Sequence, residues 1–588
     1  MSDRKRRSLA WLAVFVALGM CVGCELRANR SSPAPEQTAQ AAPSPPAVMA
    51  TSQSEYLWDI EGHGNKLART NYGLKALGNA LSRADKKALQ NILADNFQGE
   101  VLGKPIEEIR VANDFCEVTR QQEGQAPREK VNREQFISRL LQLRGIFQQP
   151  PKIGIALMKL APVQKEDLQG LWRGSCQVRM YGETAPGKPA EIILYLEYTV
   201  PEPSEENLTK SGWLRQAGLV QIQVAKAPHY LFRDVTAASG IDTKRLHDNW
   251  RPENKGSLKA NTGGVYLFDF NRDGILDILV VDVNGSALYQ GLPDGKFRDV
   301  TAQVGLPTSS DNMAEAVAVA DFDGDGWEDI ILGGHIYQNV QGKHFEDVTV
   351  LSNLKLPRDA VGIALADYDR DGLVDLYVTR PGDRKKDSWL TGKSGDPNKG
   401  NQLWKNLGHW QFRNVTPDSR TGAGNRSTFS AVWLDANNDG WPDLYVINEF
   451  GDGVLLVNKG DGTFQEQLMA QGGDFGSMGV TCGSVENDDN IDIYCANMYS
   501  KAGTRVIGNV EPGTYPDDIM AKIRSFVKGS QLWKNRGGGK FEPVGQKYQI
   551  ASVGWAYGPA LVDLDNDGFL DLYATAGFVS QSRAEPDG

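Results

Sequence analysis

Five short stretches of the chain carry carboxylic acids at one fixed spacing, D-x-[DN]-x-D-G-x-x-D. They begin at Asp269, Asp321, Asp367, Asp435 and Asp563. Carboxylates held this close together raise one another's pKa unless a cation lies among them. Calcium takes about six to eight oxygen ligands, which side chains at positions 1, 3, 5 and 9 and the backbone carbonyl at position 7 can supply. The glycine at position 6 allows the sharp turn that points these oxygens inward.

We therefore predict that each loop binds one calcium ion, about five ions in all. The alternative is a series of acidic surface turns, because Asp and Gly are ordinary turn residues. Five matching loops at repeat spacing favour the metal. The predicted ligands, with the position 7 residues acting through their carbonyls, are Asp269, Asn271, Asp273, Ile275, Asp277, Asp321, Asp323, Asp325, Trp327, Asp329, Asp367, Asp369, Asp371, Leu373, Asp375, Asp435, Asn437, Asp439, Trp441, Asp443, Asp563, Asp565, Asp567, Phe569 and Asp571.

The loops belong to a repeat with a period of about fifty residues, and a sixth, altered copy occupies Ser484–Asp492. They are not EF-hands, because position 12 holds Val, Leu or Ala where an EF-hand has Glu. Each loop joins two apolar strand-like runs, and in most repeats a second hairpin follows, as in Leu403–Thr416, "LWKNLGHWQFRNVT". Four strands per unit are typical of a propeller blade. We predict a mainly β fold: a calcium-loop β-propeller with six visible units and six or seven blades, preceded by a smaller α+β domain.

The order strand, DxDxDGxxD, strand, LYxN, G-x-F-x-DVT resembles the FG-GAP/VCBS repeats of integrin-type β-propellers. The stretch "FRDVTAASGI" from Phe232, and the tetrapeptides LYQG, IYQN and LWKN followed by DVT or NVT, are similar to the cartilage acidic protein type. The resemblance implies calcium-stabilised blades and a binding role without catalysis. The last unit has no LYxN hairpin before Gly588. Either the chain is a piece of a longer one, or Tyr230–Thr236 helps to close the ring.

Composition divides the chain into four segments. Residues 1–24 read as a lipoprotein signal peptide and 25–55 as a disordered linker rich in Pro, Ala, Ser and Gln. An α+β domain is predicted at 56–226, and the propeller at 227–588.

The signal peptide has a basic start, Arg4–Arg7, and an apolar stretch from Leu9 to Met20 that is short for a membrane span. Small residues before Cys24 resemble a bacterial lipobox, with Cys24 as the lipidated residue. We expect an exported protein held at the cell envelope, periplasmic or on the surface, through its lipid alone. Plain secretion is the alternative.

The segment before the repeats shows helical spacing from Leu74 to Ile92 and again over Arg133–Gly145, followed by long alternating runs. Helices followed by antiparallel strands predict an α+β domain. The stretch "ALSRADKKALQNILADNFQGE" from Ala80 resembles the opening of a nuclear transport factor 2-like (SnoaL-like) cone. Such cones hold a small ligand or dimerise, and we expect a structural role here because no catalytic set is evident.

Cys482 and Cys495 flank the altered loop Ser484–Asp492, at positions that hold core residues in the other repeats. An oxidising compartment permits disulfides. We predict that a Cys482–Cys495 disulfide replaces strong metal binding in this blade, the alternative being two buried thiols.

Two functions fit the sequence. The first is a calcium-stabilised binding or adhesion module that recognises protein or glycan, and the second is an extracellular enzyme acting on polysaccharide with the propeller as scaffold. We favour the module, because no HExxH, GxSxG or P-loop pattern occurs. The net charge of −11 and the lack of an aromatic-rich basic patch argue against nucleic acid. The ligand is expected on the face opposite the calcium loops, where insertions Arg380–Gly400 and Met498–Ser530 carry basic and aromatic residues.

Overall fold

A computed structural model describes residues 51–69, 71–103, 109–124, 126–247, 264–308, 317–382, 400–423, 426–469, 473–499 and 501–576. The chain forms two compact units. The N-terminal unit comprises residues within Ala28–Arg233 together with Lys501–Pro516, and the repeat unit comprises Asp234–Ser500 and Asp517–Gly588. Helix begins at Thr51, inside the stretch predicted to be a disordered linker.

The N-terminal unit is an α+β structure, as expected. Its helices are α1 (Thr51–Arg69), α2 (Leu74–Ser82), α3 (Lys86–Ile92), α4 (Arg133–Arg144) and α5 (Glu205–Thr209), and its strands are β1 (Leu93–Leu102), β2 (Ile109–Ala112), β3 (Glu117–Gln122), β4 (Arg128–Asn132), β5 (Lys152–Pro162), β6 (Leu171–Ala185), β7 (Lys188–Pro201) and β8 (Leu214–Lys226). The strands form one eight-stranded sheet with the order β2-β3-β8-β7-β6-β5, and β1 pairs with both β4 and β8.

Alternation of apolar residues sets the buried face of this sheet. In β7, Ile192, Leu194, Leu196 and Tyr198 are all buried, as a period of two requires. Helical spacing continues from α2 into α3, but the chain breaks there because Ala84 takes a left-handed φ of 53°. Helix α4 begins with a capping box, in which the Asn132 side chain accepts from the Gln135 amide and the Gln135 side chain accepts from the Asn132 amide.

The repeat unit is a β-propeller built from antiparallel sheets, five with four strands and one with two among the described residues. Their strands are β9 (Val265–Phe268), β10 (Asp277–Asp282), β11 (Gly285–Gly291) and β12 (Phe297–Asp299); β13 (Val317–Ala320), β14 (Asp329–Leu332), β15 (His335–Val340) and β16 (His344–Asp347); β17 (Gly362–Ala366), β18 (Asp375–Thr379), β19 (Gln402–Asn406) and β20 (Phe412–Asn414); β21 (Ser427–Leu434), β22 (Asp443–Phe450), β23 (Val454–Asn458) and β24 (Phe464–Leu468); β25 (Ser477–Gly483), β26 (Asp492–Asn497), β27 (Gln531–Asn535) and β28 (Phe541–Pro543); β29 (Ala556–Val562) and β30 (Asp571–Ala576). Short helices α6 (Thr236–Ser239) and α7 (Thr416–Ser419) and 3-10 turns at Thr243–Arg245 and Thr349–Leu351 lie between strands.

Successive blades share their apolar cores. Leu279 of the first blade and Ile330 of the second lie in one buried cluster, whereas Ile331 of the second joins Leu376 of the third. Adjacent residues of one strand therefore face opposite neighbouring blades, as the strand period requires. The first strands of the second to sixth blades pack against one another in chain order. The last described sheet consists of β29 and β30, and Tyr230–Thr236 forms no strand.

The insertion between β26 and β27 divides between the units. Its first part, with helix α8 (Lys501–Gly508), belongs to the N-terminal unit, and helix α9 (Asp517–Lys528) belongs to the repeat unit. The Arg505 guanidinium is buried, donates to both carboxylate oxygens of Glu61 at 2.9 and 2.6 Å, and also donates to the Leu157 carbonyl. Arg505 lies in an insertion whose basic residues were expected to bind the ligand. Its guanidinium is instead buried and hydrogen-bonded within the N-terminal unit, because a buried charge needs partners for its donors.

The predicted Cys482–Cys495 disulfide is not formed, and both cysteines are free thiols. The strand register explains the difference: β25 and β26 pair Cys482 with Ile493, and Val480 with Cys495. The two cysteines are therefore diagonal neighbours across the strands. The Cys482 thiol instead lies 3.6 Å from the Trp433 carbonyl. The alternative of two thiols in the core matches this arrangement.

Candidate metal centres

Each acidic loop is the turn between the first and second strands of a blade, and its first aspartate organises that turn. In the first loop the Asp269 carboxylate accepts from the Asp273 amide at 3.1 Å and from the Gly274 amide at 2.8 Å. The same two bonds recur in the other four intact loops. Positions 4 and 6 take left-handed conformations, with φ of 55° at Arg272 and 84° at Gly274. Glycine suits position 6 because it adopts this conformation without strain.

Three loops gather carboxylate oxygens within 4.8 Å of one another among the described residues: Asp321, Asp323 and Asp325; Asp367, Asp369 and Asp371; and Asp563, Asp565 and Asp571. Such clusters of oxygen donors could hold a metal ion, and hard oxygen ligands suit calcium. The first and fourth loops have asparagine at position 3, and there the Asn271 and Asn437 amides donate to the position 5 carboxylates. The structure therefore brings positions 1, 3 and 5 together in two loops, and positions 1, 3 and 9 in the last.

The aspartate at position 9 has a structural function besides its predicted role as a ligand. It is the first residue of the second strand and is fully buried in the first five loops. In the second loop, Asp329 accepts from the Phe322 amide at 3.0 Å and from the Asn339 amide of the third strand at 2.8 Å. Both carboxylate oxygens thus hold backbone donors, which ties the loop to the third strand. Equivalent pairs of bonds occur at Asp277, Asp375, Asp443 and Asp492.

Burial raises the pKa of the position 9 carboxyl groups in the first four loops, and the neighbouring loop aspartates raise it further. The pKa of Asp329 rises to about 8 and that of Asp375 to about 7. Those of Asp277 and Asp443 rise to about 6. Without a metal, Asp329 therefore favours the protonated form at neutral pH, and a divalent cation would favour the ionised form.

Asparagine in the third strand joins each blade to the one before it. Its side-chain amide donates to the backbone carbonyl at loop position 2 of the preceding blade, in four places: Asn339 to Phe270 at 2.8 Å, Asn406 to Phe322 at 2.8 Å, Asn458 to Tyr368 at 2.9 Å, and Asn535 to Ala436 at 2.8 Å. All four side chains are buried. The sequence shows these asparagines at the end of the tetrapeptides IYQN, LWKN, LLVN and LWKN, a recurrence that marks the position without revealing its role. The first blade has Gly291 at this position.

Two pairs of consecutive loops are also joined by an arginine that lies over a tryptophan. The Arg272 guanidinium lies 4.9 Å from the Trp327 ring centroid, and that of Arg370 lies 5.4 Å from the Trp441 ring centroid. In both pairs the arginine is at position 4 of one loop and the tryptophan at position 7 of the next. The tryptophan side chains thus link loops, whereas the predicted metal contact of position 7 uses the backbone.

A family model described as an FG-GAP-like repeat matches residues 269–332, 435–495 and 518–574. Cartilage acidic protein 1 of Mus musculus is 27% identical over 165 residues, which span 25% of this chain and only 23% of that protein. These matches show that the chain contains FG-GAP-like repeats, and the sheets described above have the propeller type of fold.

Solved structures with similar chains include a lectin of Agrocybe aegerita that recognises non-reducing terminal N-acetylglucosamine, at 16% identity and a TM-score of 0.31 over 68% of this chain and 85% of that one. They also include the V. cholerae biofilm matrix protein Bap1, at 16% identity and a TM-score of 0.26 over 48% of this chain and 40% of that one.

We predict that Asn406→Ala destabilises the propeller by about 2–4 kcal/mol, because it leaves the buried Phe322 carbonyl, the part-buried Val374 carbonyl and the Gly408 amide without their partner. Urea unfolding in calcium measures the loss. Asn65→Ala, an exposed position on α1, is the control and should stay within about 0.5 kcal/mol of wild type. Equal unfolding midpoints for Asn406→Ala and wild type would show that the link between blades is unimportant.

We predict that stability without metal falls as pH rises from 5 to 8.5. An unfolded aspartate releases its proton near pH 4, whereas Asp329 keeps its proton to about pH 8. Between these values the folded state binds more protons than the unfolded state, so raising the pH favours unfolding. Calcium binds the ionised loops, and its stabilising effect should therefore grow over the same interval.

Thermal melting in chelator, in calcium and in magnesium at several pH values tests this expectation. Calcium should raise the melting temperature most at high pH, and magnesium should substitute poorly because it demands tighter octahedral geometry. Melting curves at pH 8 that coincide in chelator and calcium would contradict it.

Proposed function

We propose that this FG-GAP-repeat chain is a calcium-stabilised, exported binding module that recognises a protein or glycan and does not catalyse a reaction. The observation that carries the proposal is the repeated acidic loop, placed at the same turn of successive blades. Buried hydrogen bonds tie it to the third strand of its own blade and to the next blade. Such a scaffold is rigid, and rigid scaffolds present recognition loops at their ends.

About five calcium ions would be held at positions 1, 3, 5, 7 and 9 of the intact loops. The position 1 carboxylate already has its orientation from the two amides it accepts, and the left-handed turn brings positions 3 and 5 beside it. Binding to the folded state alone would stabilise it by roughly 4 kcal/mol at a thousandfold excess over Kd. Calcium here supplies charge neutralisation and cross-linking of the loop.

The ligand is proposed to bind on the face opposite the calcium loops. The calcium loops are first turns, and the second turns of antiparallel four-stranded blades emerge at the other end. The insertion Arg380–Gly400 is such a second turn. Its tip, residues 383–399, lies outside the described residues, but its base is fixed. The buried Arg380 guanidinium pairs with Asp359 at 2.7 Å, and its amide donates to Asn401 at 3.0 Å.

The basic residues and Trp389 of this insertion suit an acidic glycan or an acidic protein surface, since the chain as a whole has a net charge of −11. The insertion Met498–Ser530 is a weaker candidate. Its residues Lys501–Pro516 belong to the N-terminal unit, and Arg505 is buried there against Glu61.

Binding to an acidic glycan panel and to envelope proteins, assayed in calcium and in chelator, tests the proposal. We expect saturable binding without turnover, and we expect it to be lost when residues 383–399 are replaced by a short Gly-Ser turn while melting stays normal. Lys296→Ala removes an exposed positive charge on the calcium-loop side and is the control. Binding that survives the replacement would place recognition elsewhere, and product formation would favour the polysaccharide enzyme.

The export signal and the lipid on Cys24 also remain part of the proposal. Residues 1–50 lie outside the described part of the chain. Among the described residues no helix is both long and apolar enough to span a bilayer.

We predict that palmitate labelling of expressing cells marks the wild type and Cys21→Ser but not Cys24→Ser. Label that persists in Cys24→Ser would show that another residue carries the lipid or that the label is unspecific.

A further inference from the structure

One side chain of the third strand approaches the acidic loop of its own blade. This side chain belongs to the residue just before the one whose backbone N–H donates to the position 9 aspartate. In the five four-stranded blades it is Gln290, Gln338, Lys405, Val457 and Lys534. In the second blade the Gln338 amide donates to the Asp323 carboxylate, loop position 3, at 2.8 Å. The side chain at this strand position can therefore reach the predicted metal ligands.

In the fifth blade a lysine at this position lies among the loop acids. The Lys534 ammonium is 3.1 Å from Asp492 and 3.4 Å from both Asp488 and Glu486, and the side chain is 1% exposed. This loop has Ser484 in place of the first aspartate, and the Ser484 hydroxyl donates to the Asp488 carbonyl at 2.6 Å. A buried ammonium with three carboxylates supplies positive charge where the other loops would hold the ion.

The third blade combines a complete acidic motif with the same lysine. The Lys405 ammonium contacts Asp369 and lies 2.9 Å from Asp371, which are positions 3 and 5 of the loop. Those two carboxylates also belong to the oxygen cluster with Asp367. A calcium ion and the ammonium group would therefore compete for the same oxygens, so this loop fits the metal less well than its neighbours.

We propose that the third-strand side chain sets calcium affinity blade by blade: Lys534 replaces the ion in the fifth blade, and Lys405 competes with it in the third. The inference rests on the proposed calcium role. It predicts tight calcium binding in the first, second, fourth and last repeats, weak binding in the third, and no calcium site in the fifth. Repulsion between a unit charge and a divalent ion a few ångströms apart weakens binding by about tenfold or more.

Calorimetric calcium titration of the full chain, with bound calcium counted by elemental analysis, tests the assignment. We expect Lys405→Gln to move one site from the weak class to the tight class, with an affinity gain of about tenfold or more. Gln338→Lys is the reciprocal variant and should weaken one tight site by a similar factor. Lys534→Gln should gain no site, because Ser484 still stands at position 1.

Melting in chelator gives a second readout that does not depend on bound metal. Lys405→Gln should melt lower than wild type, because the loop carboxylates lose their internal cation, and Gln338→Lys should melt higher for the opposite reason. Wild-type calcium binding that neither variant changes would overturn this inference and leave the calcium role intact. Failure of the wild type and all variants to bind calcium would overturn the calcium role and this inference together.

Discussion

The propeller depends on one chain of hydrogen bonds that crosses every junction between consecutive four-stranded blades. The residue at loop position 2 donates its backbone N–H to the position 9 aspartate of its own blade, and its carbonyl accepts from the asparagine of the next blade, as at Phe322 with Asp329 and Asn406. The backbone amide of that asparagine donates to its own position 9 aspartate, Asp375. Each partner is buried, so leaving any one unpaired costs more than the bond itself contributes. The register of each blade on its neighbour follows from this constraint.

The altered fifth loop separates this network from the predicted metal. Ser484 replaces the first aspartate of the motif and Asp489 replaces its glycine. The backbone amides of Val485 and Asn535 nevertheless donate to Asp492 at 3.1 and 2.8 Å. The buried hydrogen bonds therefore persist where the set of predicted calcium ligands is broken. The role that the position 9 aspartate has in both the altered and the intact loops is to hold the strands, and its role as a calcium ligand is a prediction. In the altered loop, positions 1 and 3 hold Ser484 and Glu486, whereas the aspartate at position 9 is unchanged.

Much of this could be predicted from the sequence, because the repeat presents the same pattern several times. The loops, their place between two strands, the mainly β fold and the smaller α+β domain all follow from recurring residues and spacing. The disulfide was wrong for a specific reason: equal offsets from the loop placed Cys482 and Cys495 on paired strands, but the register makes them diagonal. The packing of Arg505 could not be foreseen, because a basic residue in an insertion gives no sign of which surface will bury it.

The asparagine and lysine of the third strand could be predicted only in part. The tetrapeptide "LWKN" occurs twice, at Leu403 and Leu532, so the sequence shows that the lysine and asparagine recur together. It does not show that one points toward the preceding blade and the other into the loop of its own blade. That difference follows from the strand period, since adjacent side chains must leave a strand on opposite faces. The asparagine therefore makes the contact between blades, and the residue before it sets the charge near the loop, so the two positions can change independently. In the fourth blade Asn458 keeps the contact between blades, whereas Val457 leaves the loop without a cation from its own third strand.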